Sequence, residues 1–248
     1  LARRAGLDEA LSHPALAALE PRDRAFARAV VMAALRRLGP IDLALDAKLK
    51  KPPPERVRQI LRIGAAQALV LGVPAHAAVA TSVDLAAADR GSSGFKGLVN
   101  AVLRALLREP PALDDPEALA PGWLYARWRA AYGEDETRAL ATVITQEPGT
   151  DLTLKDPSLG EALAADLEAE VLRGGGLRPE RRGDITAWPG FAEGAWWVQD
   201  AAAAIPARLL DARAGQVVLD LCAAPGGKTM QLAATGAEVT AVDRSPNR

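Results

Sequence analysis

A glycine turn between a short apolar strand and a helix offers a site for a nucleotide-like cofactor, within VVLDLCAAPGGKTMQLAATGAEVTAVD (217–243). Gly226 and Gly227 let the backbone approach a ligand closely, and the following helix N-terminus offers unpaired N–H groups to an anion. The second strand ends in Asp243, 20 residues after Ala223, where a carboxylate suits ribose hydroxyls. The segment therefore predicts a ligand with an anionic group and a ribose.

Three cofactors compete for this turn. A dehydrogenase loop needs G-x-G-x-x-G, which the segment lacks. A phosphate-binding P-loop ending in Gly227-Lys228-Thr229 needs glycine at 222, where the chain has Cys222. S-adenosylmethionine remains, because its carboxylate suits the helix N-terminus and Lys228 and its ribose suits Asp243. A strand–turn–helix unit without a ligand is the alternative.

Composition excludes several classes of protein. The one cysteine excludes a disulfide framework and fits a reducing cytosol. No apolar run approaches the ~20 residues that span a bilayer, and no signal peptide is visible, so we expect a cytoplasmic protein without membrane contact. His13 and His76 have no partners at ligand spacing, so no metal site is predicted.

The charge is unevenly distributed along the chain, although the net charge is −1. Residues 1–130 carry 19 Lys and Arg against 13 Asp and Glu, whereas residues 131–248 carry 11 against 18. The front half is therefore the better candidate for a surface that binds phosphates. Chance variation between two solvated surfaces is the alternative.

Apolar residues at helical spacing predict four helices in the front half, over 21–40, 52–74, 74–89 and 93–110. Gly64 lies inside the second, where glycine costs about 1 kcal/mol relative to alanine, so close helix–helix contact is expected there. On the fourth, four polar residues recur at steps of four: Lys96, Asn100, Arg104 and Arg108. Such a row can follow a phosphate backbone, and a solvated face is the alternative.

The middle of the chain changes character. Residues 121–148 predict two short helices that close off the front bundle. From Asp151 a small α+β unit of about 50 residues is expected, with a strand at 151–155, a helix over 159–176 that stops at glycines, and two short strands around Pro189-Gly190. A helix over 201–212 leads into the cofactor segment.

At the level of motifs the chain resembles a known family. DLCAAPGGKT followed by AVD resembles the methyl-donor motif of RNA cytosine-5 methyltransferases, and PGF..G.WWVQDAAA resembles the segment before it. RDRAFARAVV, RQILRIGAAQ, PAHAAVATSVDLA and GLVNAVLR..LRE resemble a NusB-like RNA-binding domain. The order of these motifs over nearly the whole chain resembles that of the small-subunit ribosomal RNA cytosine-5 methyltransferase B family (Sun/Fmu group).

The resemblance implies a multidomain fold. An all-α NusB-like helical bundle is expected over 1–115, linker helices and a small α+β unit over 116–200, and the start of a Rossmann-like α/β methyltransferase domain over 201–248. The implied function of the monomer is methyl transfer from S-adenosylmethionine to C5 of a cytosine in 16S ribosomal RNA. The implied cofactor contacts are Cys222, Ala223, Ala224, Pro225, Gly226, Gly227, Lys228 and Asp243. The RNA contacts are expected at Lys96, Arg104 and Arg108.

Two features depart from the family pattern. The family commonly has L-R-[VI]-N where this chain has Leu152-Thr153-Leu154-Lys155, which puts any RNA contact there in doubt. The family activates cytosine by adding a cysteine thiolate to C6, and a second cysteine assists release. Both are expected on loops beyond Arg248, so the chain is expected to be an inactive fragment. Cys222 lies in the cofactor loop and is not expected to be the nucleophile. The alternative is a NusB-like RNA-binding or antitermination module without catalysis.

Overall fold

The computed structural model describes residues 6–181 and 183–244. The chain forms two compact units, Leu1–Glu147 (unit 1) and Pro148–Arg248 (unit 2). The packing thus joins residues 116–147 to the helices before them, and the small α+β segment to the cofactor segment. The three-part division predicted from the sequence stays a prediction.

Unit 1 is built of α-helices. In chain order they are α1 (Leu7–Leu11), α2 (Pro14–Ala17), α3 (Pro21–Arg36), α4 (Leu38–Asp46), α5 (Glu55–Leu69), α6 (Ala75–Ala88), α7 (Lys96–Arg108), α8 (Pro116–Leu119), α9 (Gly122–Tyr132) and α10 (Glu134–Val143). The apolar faces of α3 to α7 form one buried core, in which Ile41, Leu45, Leu61 and Leu103 are fully enclosed. The predicted all-α front region is confirmed.

The helix predicted over 21–40 is two helices. α3 ends at Arg36 and α4 starts at Leu38, with Gly39 and Pro40 in its first turn. Proline is tolerated there because the first N–H groups of a helix have no partner within it. The Gly-Pro pair was predicted to end a helix, and it instead lies at the start of one. The fourth predicted helix also begins late, since Ser93–Phe95 form a 3-10 turn before α7.

Close helix contact at Gly64 is confirmed. A Cβ added at Gly64 in α5 would lie 2.5 Å from Ser82 Oγ and 2.6 Å from Leu103 Cδ1. Ser82 is on α6 and Leu103 is on α7, so the bare glycine backbone lets three helices meet. The cost of glycine inside a helix is offset by this packing.

Gly39 gives a stability prediction. A Cβ there would overlap the backbone carbonyl of Ala118, which side-chain rotation cannot relieve. We expect Gly39→Ala to lower the free energy of unfolding of unit 1 by about 1–3 kcal/mol. Gly97→Ala in α7 is the control, because nothing lies within 4 Å of its added Cβ, and a gain of at most ~1 kcal/mol is expected. Urea unfolding followed by far-UV circular dichroism measures both. Equal losses would contradict the packing at Gly39.

Unit 2 begins with an antiparallel sheet. Its strands are β1 (Leu152–Leu154), β2 (Ala169–Val171), β3 (Leu177–Pro179) and β4 (Trp196–Val198), in the order β2-β3-β1-β4. α11 (Gly160–Leu167) contacts β2 and β3, and the enclosed core contains Leu152, Leu167, Leu177 and Trp196. The predicted small α+β unit is confirmed.

Two details of that unit were predicted wrongly. The helix expected to run to the glycines at 174–176 ends at Leu167, because Glu168 adopts a left-handed conformation with φ 52° and the chain then enters β2. The segment around Pro189-Gly190 supplies one strand, β4, while Ile185–Ala187 form a 3-10 turn. Apolar periodicity did not separate a short edge strand from the end of a helix.

The last part of unit 2 is a parallel pair of strands with helices. It comprises α12 (Ala201–Leu210), β5 (Val217–Asp220), α13 (Gly227–Ala234) and β6 (Glu238–Ala241). β5 pairs with β6 from Val217 opposite Glu238 to Asp220 opposite Ala241. The order strand, helix, parallel strand is the predicted α/β start. Val217 is 78% exposed and Leu219 57%, because β6 is the partner of β5 within the described residues.

No helix within residues 6–181 and 183–244 combines the length and the apolarity needed to cross a membrane.

Candidate cofactor-binding site

Asp220 fixes both ends of the glycine turn. It is the last residue of β5, and its Oδ1 accepts a hydrogen bond from the Cys222 N–H at 3.3 Å. Its Oδ2 accepts one from the Thr229 hydroxyl, in the first turn of α13, at 2.7 Å. One carboxylate thus holds the strand end, the loop and the helix start together.

Asp243 lies beside the same turn. Its Oδ2 accepts a hydrogen bond from the Ala224 N–H at 2.9 Å, and the Ala223 N–H donates to the Val242 carbonyl at 3.1 Å. Residues 19 positions apart in the sequence are therefore in direct contact. The structure brings Asp243 and the predicted loop into one site, and it gives this carboxylate a role in holding the loop.

Two neighbouring glycines shape the turn in different ways. Gly226 has φ 103°, a backbone conformation that side chains with a Cβ rarely adopt. At Gly227 the limit is space, since a Cβ would lie 3.1 Å from Gln199 Cδ. The pair therefore sets both the path of the loop and its close approach to the segment before α12.

The loop lines a cavity of about 280 Å³ together with the start of α12. The lining residues are Val198, Gln199, Asp200, Ala203, Cys222, Ala223, Ala224, Pro225, Gly227 and Lys228. Six of the eight predicted cofactor residues are among them. Gly226 and Asp243 instead hold the loop, through backbone conformation and the hydrogen bond to Ala224.

Gln199 positions the opposite wall of this cavity. Its Oε1 accepts a hydrogen bond from Trp197 Nε1 at 2.9 Å, and its Nε2 donates to Gln231 Oε1 at 2.6 Å. Gln231 Nε2 in turn donates to the Ala204 carbonyl at 3.2 Å. This chain of amides joins β4, α12 and α13 around the cavity.

Asp200 and Asp151 fix the start of α12. Asp200 caps the helix, since its Oδ1 accepts from the N–H groups of Ala202 and Ala203 at 2.9 and 3.0 Å. Asp151 Oδ2 accepts from the Ala201 N–H at 3.0 Å, and its carboxylate also pairs with Arg178 at 2.7 and 3.0 Å. Gln199, Asp200 and Asp151 were not predicted as site residues, although the first two lie within the motif WWVQDAAA.

The environment of Asp151 acts in two directions on its pKa. Burial of the carboxyl acts to raise the pKa, because water is lost around the charged form. The hydrogen bonds from Arg178 and the Ala201 N–H, together with the Arg178 charge, outweigh burial and leave the pKa below its ordinary value. Asp151 is therefore a charged anchor between the antiparallel sheet and α12.

The residues around the cavity fit the amino-acid part of a cofactor. The first N–H groups of α13 lack partners within the helix and favour an anion, and the Lys228 ammonium lines the same cavity. The Asp200 carboxylate, also in the lining, offers an acceptor for an ammonium or hydroxyl. At about 280 Å³ the cavity is near the lower end of ligand pockets, so it accommodates part of a nucleoside-sized ligand.

The predicted RNA-contacting residues lie on α7. Lys96, Arg104 and Arg108 are exposed, and Arg104 Nε donates to Asn100 Oδ1 at 2.8 Å. Successive steps of four residues turn by roughly 40° around a helix axis, so the row winds around α7 by about a third of a turn. Their contact with RNA stays a prediction.

His13 accepts the Ala15 N–H at the start of α2, and His76 lies exposed in the first turn of α6. Across the part of the chain that the structure describes, no three His, Cys, Asp or Glu side chains cluster in a way that could hold a metal ion.

Two protein families match separate parts of the chain. Residues 1–108 match the NusB family, and residues 207–248 match the family described as 16S rRNA methyltransferase RsmB/F. The first match covers the helices α1 to α7, and the second covers the glycine turn with the end of α12 and β6.

Curated relatives match across this boundary. A protein of Synechocystis named as a probable ribosomal RNA small subunit methyltransferase B is 35% identical, over 92% of this chain and 55% of its own length. The ribosomal RNA small subunit methyltransferase B of Thermus thermophilus is 37% identical, over 92% and 52%, and that of Xanthomonas campestris is 36% identical, over 86% and 51%. The chain spans about half the length of these relatives.

A solved structure shares the fold. The crystal structure of PH0851 superposes with a TM-score of 0.67 over 93% of this chain and 57% of that chain, at 22% sequence identity. The similarity extends through both units of the chain.

Proposed function

We propose that this chain serves S-adenosylmethionine-dependent methylation of a cytosine C5 in 16S ribosomal RNA, because it matches the NusB and 16S rRNA methyltransferase RsmB/F families and is similar to relatives named ribosomal RNA small subunit methyltransferase B. The single observation that carries the cofactor assignment is the cavity lined by the glycine turn and the α13 N-terminus, with Asp243 hydrogen-bonded to the turn. The relatives' names motivate the RNA substrate.

In this proposal each part of the turn has a role. S-adenosylmethionine supplies an electrophilic methyl group when it is bound. The α13 N–H groups and Lys228 hold its carboxylate, Asp200 accepts from its ammonium, and Asp243 accepts from the ribose hydroxyls while keeping the loop in place. Gly226 and Gly227 give the ligand room at the backbone.

Unit 1 binds the RNA in this proposal. Its helices match the NusB family, and its sequence carries the excess of Lys and Arg. A basic surface attracts RNA through its phosphates, largely independently of base sequence, so the choice of cytosine rests with contacts elsewhere.

The one cysteine of the chain belongs to the cofactor side of the site. Cys222 is exposed and lines the cavity in which the methyl donor is proposed to bind. The thiolate that attacks C6 of cytosine must face the base, so we assign Cys222 to cofactor binding.

Removal of the Asp243 carboxylate tests the cofactor assignment. We expect Asp243→Ala to weaken S-adenosylmethionine binding by about 1–3 kcal/mol, because hydrogen bonds to the ribose and the support of the loop are both removed. Isothermal titration calorimetry with wild-type protein and variant measures the difference.

The matched control is Glu238→Ala, which removes one exposed carboxylate at the other end of β6. It should leave affinity unchanged. Equal affinity for wild type and Asp243→Ala would remove the ribose assignment, and a wild-type chain that binds no S-adenosylmethionine would contradict the cofactor proposal for these residues.

A further inference from the structure

A groove of about 680 Å³ lies on unit 1, between the turn that joins α4 to α5 and one face of α7. We call it the lysine groove. Residues 48–54 form one side, and the α7 side includes Leu98, Ala101 and Ala105, with Phe95 from the preceding 3-10 turn also in the lining. The volume lies within the roughly 300–1,000 Å³ of pockets that hold small organic molecules, which is room for a nucleoside.

The charges of the groove have one sign. Lys48, Lys50 and Lys51 are in its lining, and no acidic residue is among the described residues that line it. Lys48 pairs with Glu109 at 2.9 Å. Among the described residues, Lys50 and Lys51 are exposed and make no ion pair or hydrogen bond. Two cations that folding leaves unpaired beside a concave surface favour an anionic ligand.

The lysines are carried on a stiff segment. Pro52, Pro53 and Pro54 follow them directly and also line the groove. Each proline ring fixes its φ angle, so little conformational freedom is lost when a ligand binds. Prolines also lack the N–H group that β-strand pairing needs. An extended peptide therefore cannot bind this segment by pairing with it as a β-strand.

The rest of the lining is apolar. The Phe95 ring and the Leu98 side chain are partly buried, and Ala101 and Ala105 are small enough to leave the α7 surface open. A nucleobase has apolar faces that stack on an aromatic ring, and its phosphates remain outside for the lysines. A base-paired duplex keeps its bases stacked inside and cannot use such a groove.

We propose that the lysine groove binds unpaired nucleotides of the RNA, with phosphates at Lys50 and Lys51 and a base against Phe95. This inference rests on the proposed RNA substrate. It locates the RNA contact of unit 1 on the α4–α5 turn and the adjoining face of α7, whereas the row Lys96, Arg104 and Arg108 winds around that helix.

The test compares three variants of the 248-residue protein: Lys50→Gln/Lys51→Gln, Lys96→Gln/Arg108→Gln, and Phe95→Leu. Binding of a fluorescent single-stranded 16S RNA segment and of its duplex is followed by anisotropy over a range of salt. For a single strand, removing one lysine–phosphate pair makes the negative slope of log affinity against log salt shallower by about 0.7. We therefore expect the slope of the Lys50/Lys51 variant to be shallower by about 1.4.

The other two variants separate a groove from a diffuse charge. The Lys96/Arg108 pair removes the same charge, and we expect it to change the slope less. Phe95→Leu keeps the charge and should weaken single-strand binding at least about fivefold, with no effect on duplex binding. Thermal unfolding checks that each variant remains folded.

Several results would overturn the proposal. If the protein binds RNA and the slope of the Lys50/Lys51 variant is unchanged, the groove is not the RNA-binding site. The proposed RNA substrate would not be affected by that result. Equal slope changes from both pairs, with no effect of Phe95→Leu, would indicate a diffuse charge. Competition by a poly-glutamate peptide as effective as RNA at equal charge would indicate an acidic protein partner. If the wild-type chain binds no RNA, both the proposed binding at the groove and the proposed RNA substrate are contradicted.

Discussion

We expect the 248-residue protein to transfer no methyl group to unmodified 16S ribosomal RNA. C5 of cytosine becomes nucleophilic when a thiolate adds to C6, and the one thiol of the sequence, Cys222, lines the cofactor cavity. The assay follows labelled methyl from S-adenosylmethionine into RNA, with the full-length Thermus thermophilus relative as the positive control. Cys222→Ser should leave S-adenosylmethionine affinity within a few-fold of wild type.

Turnover by these residues that disappears in Cys222→Ser would contradict the assignment, since it would make Cys222 the nucleophile. Turnover that persists in Cys222→Ser would remove the thiolate mechanism for this chain. Binding of RNA without any binding of S-adenosylmethionine would favour the alternative function, an RNA-binding module of the NusB type without catalysis.

Removal of the Asp151 carboxylate should destabilise unit 2. Its side chain is 4% exposed and holds Arg178 and the Ala201 N–H. Arg178 is 45% exposed and can return to water, so we expect Asp151→Ala to lower the free energy of unfolding by about 2–4 kcal/mol, less than the removal of one partner from a fully buried pair.

Urea unfolding followed by tryptophan fluorescence measures this change, since Trp188 and Trp196 lie in the core of unit 2. Glu193→Ala is the control, because it removes an exposed carboxylate from the turn before β4 and should change stability by no more than ~0.5 kcal/mol. A similar small effect for Asp151→Ala would contradict its role as an anchor. The same variant should weaken cofactor binding, since Asp151 orients the start of α12 beside the cavity.

The lowered pKa of Asp151 sets the direction of its pH dependence. The unfolded carboxyl has an ordinary pKa of about 3.9, and the folded one lies below it. The stabilisation is therefore fully present above about pH 4 and disappears as the pH falls through the folded pKa. Asp151→Asn should show a flatter decline of stability in that acid range than wild type, and parallel declines would contradict the assignment.

Local patterns determined much of unit 1 and of the cofactor loop. A helix with one apolar face can be predicted from spacing alone, because the same 3.6-residue period decides both its backbone and its buried side. The glycine turn could also be predicted, since Gly226 is held at a positive φ that side chains with a Cβ rarely adopt and Gly227 packs closely against Gln199. Short-range rules failed where one signal has two meanings, as at Gly39-Pro40, or where a strand of three residues follows a helix, as at β2.

The tertiary structure decided most contacts between distant positions. Asp151 meets the Ala201 N–H, Gln199 meets Gln231, and the α4–α5 turn meets α7. These partners lie far apart in the chain, and neither periodicity nor composition carries information about such pairs. Asp, Gln and Lys are common on solvated surfaces. Their role in a site is therefore decided when packing excludes water around them and sets the distances to their partners. The sequence thus determined most of the helices and the loop that approaches a ligand, while tertiary packing decided which carboxylates, amides and lysines surround the two cavities.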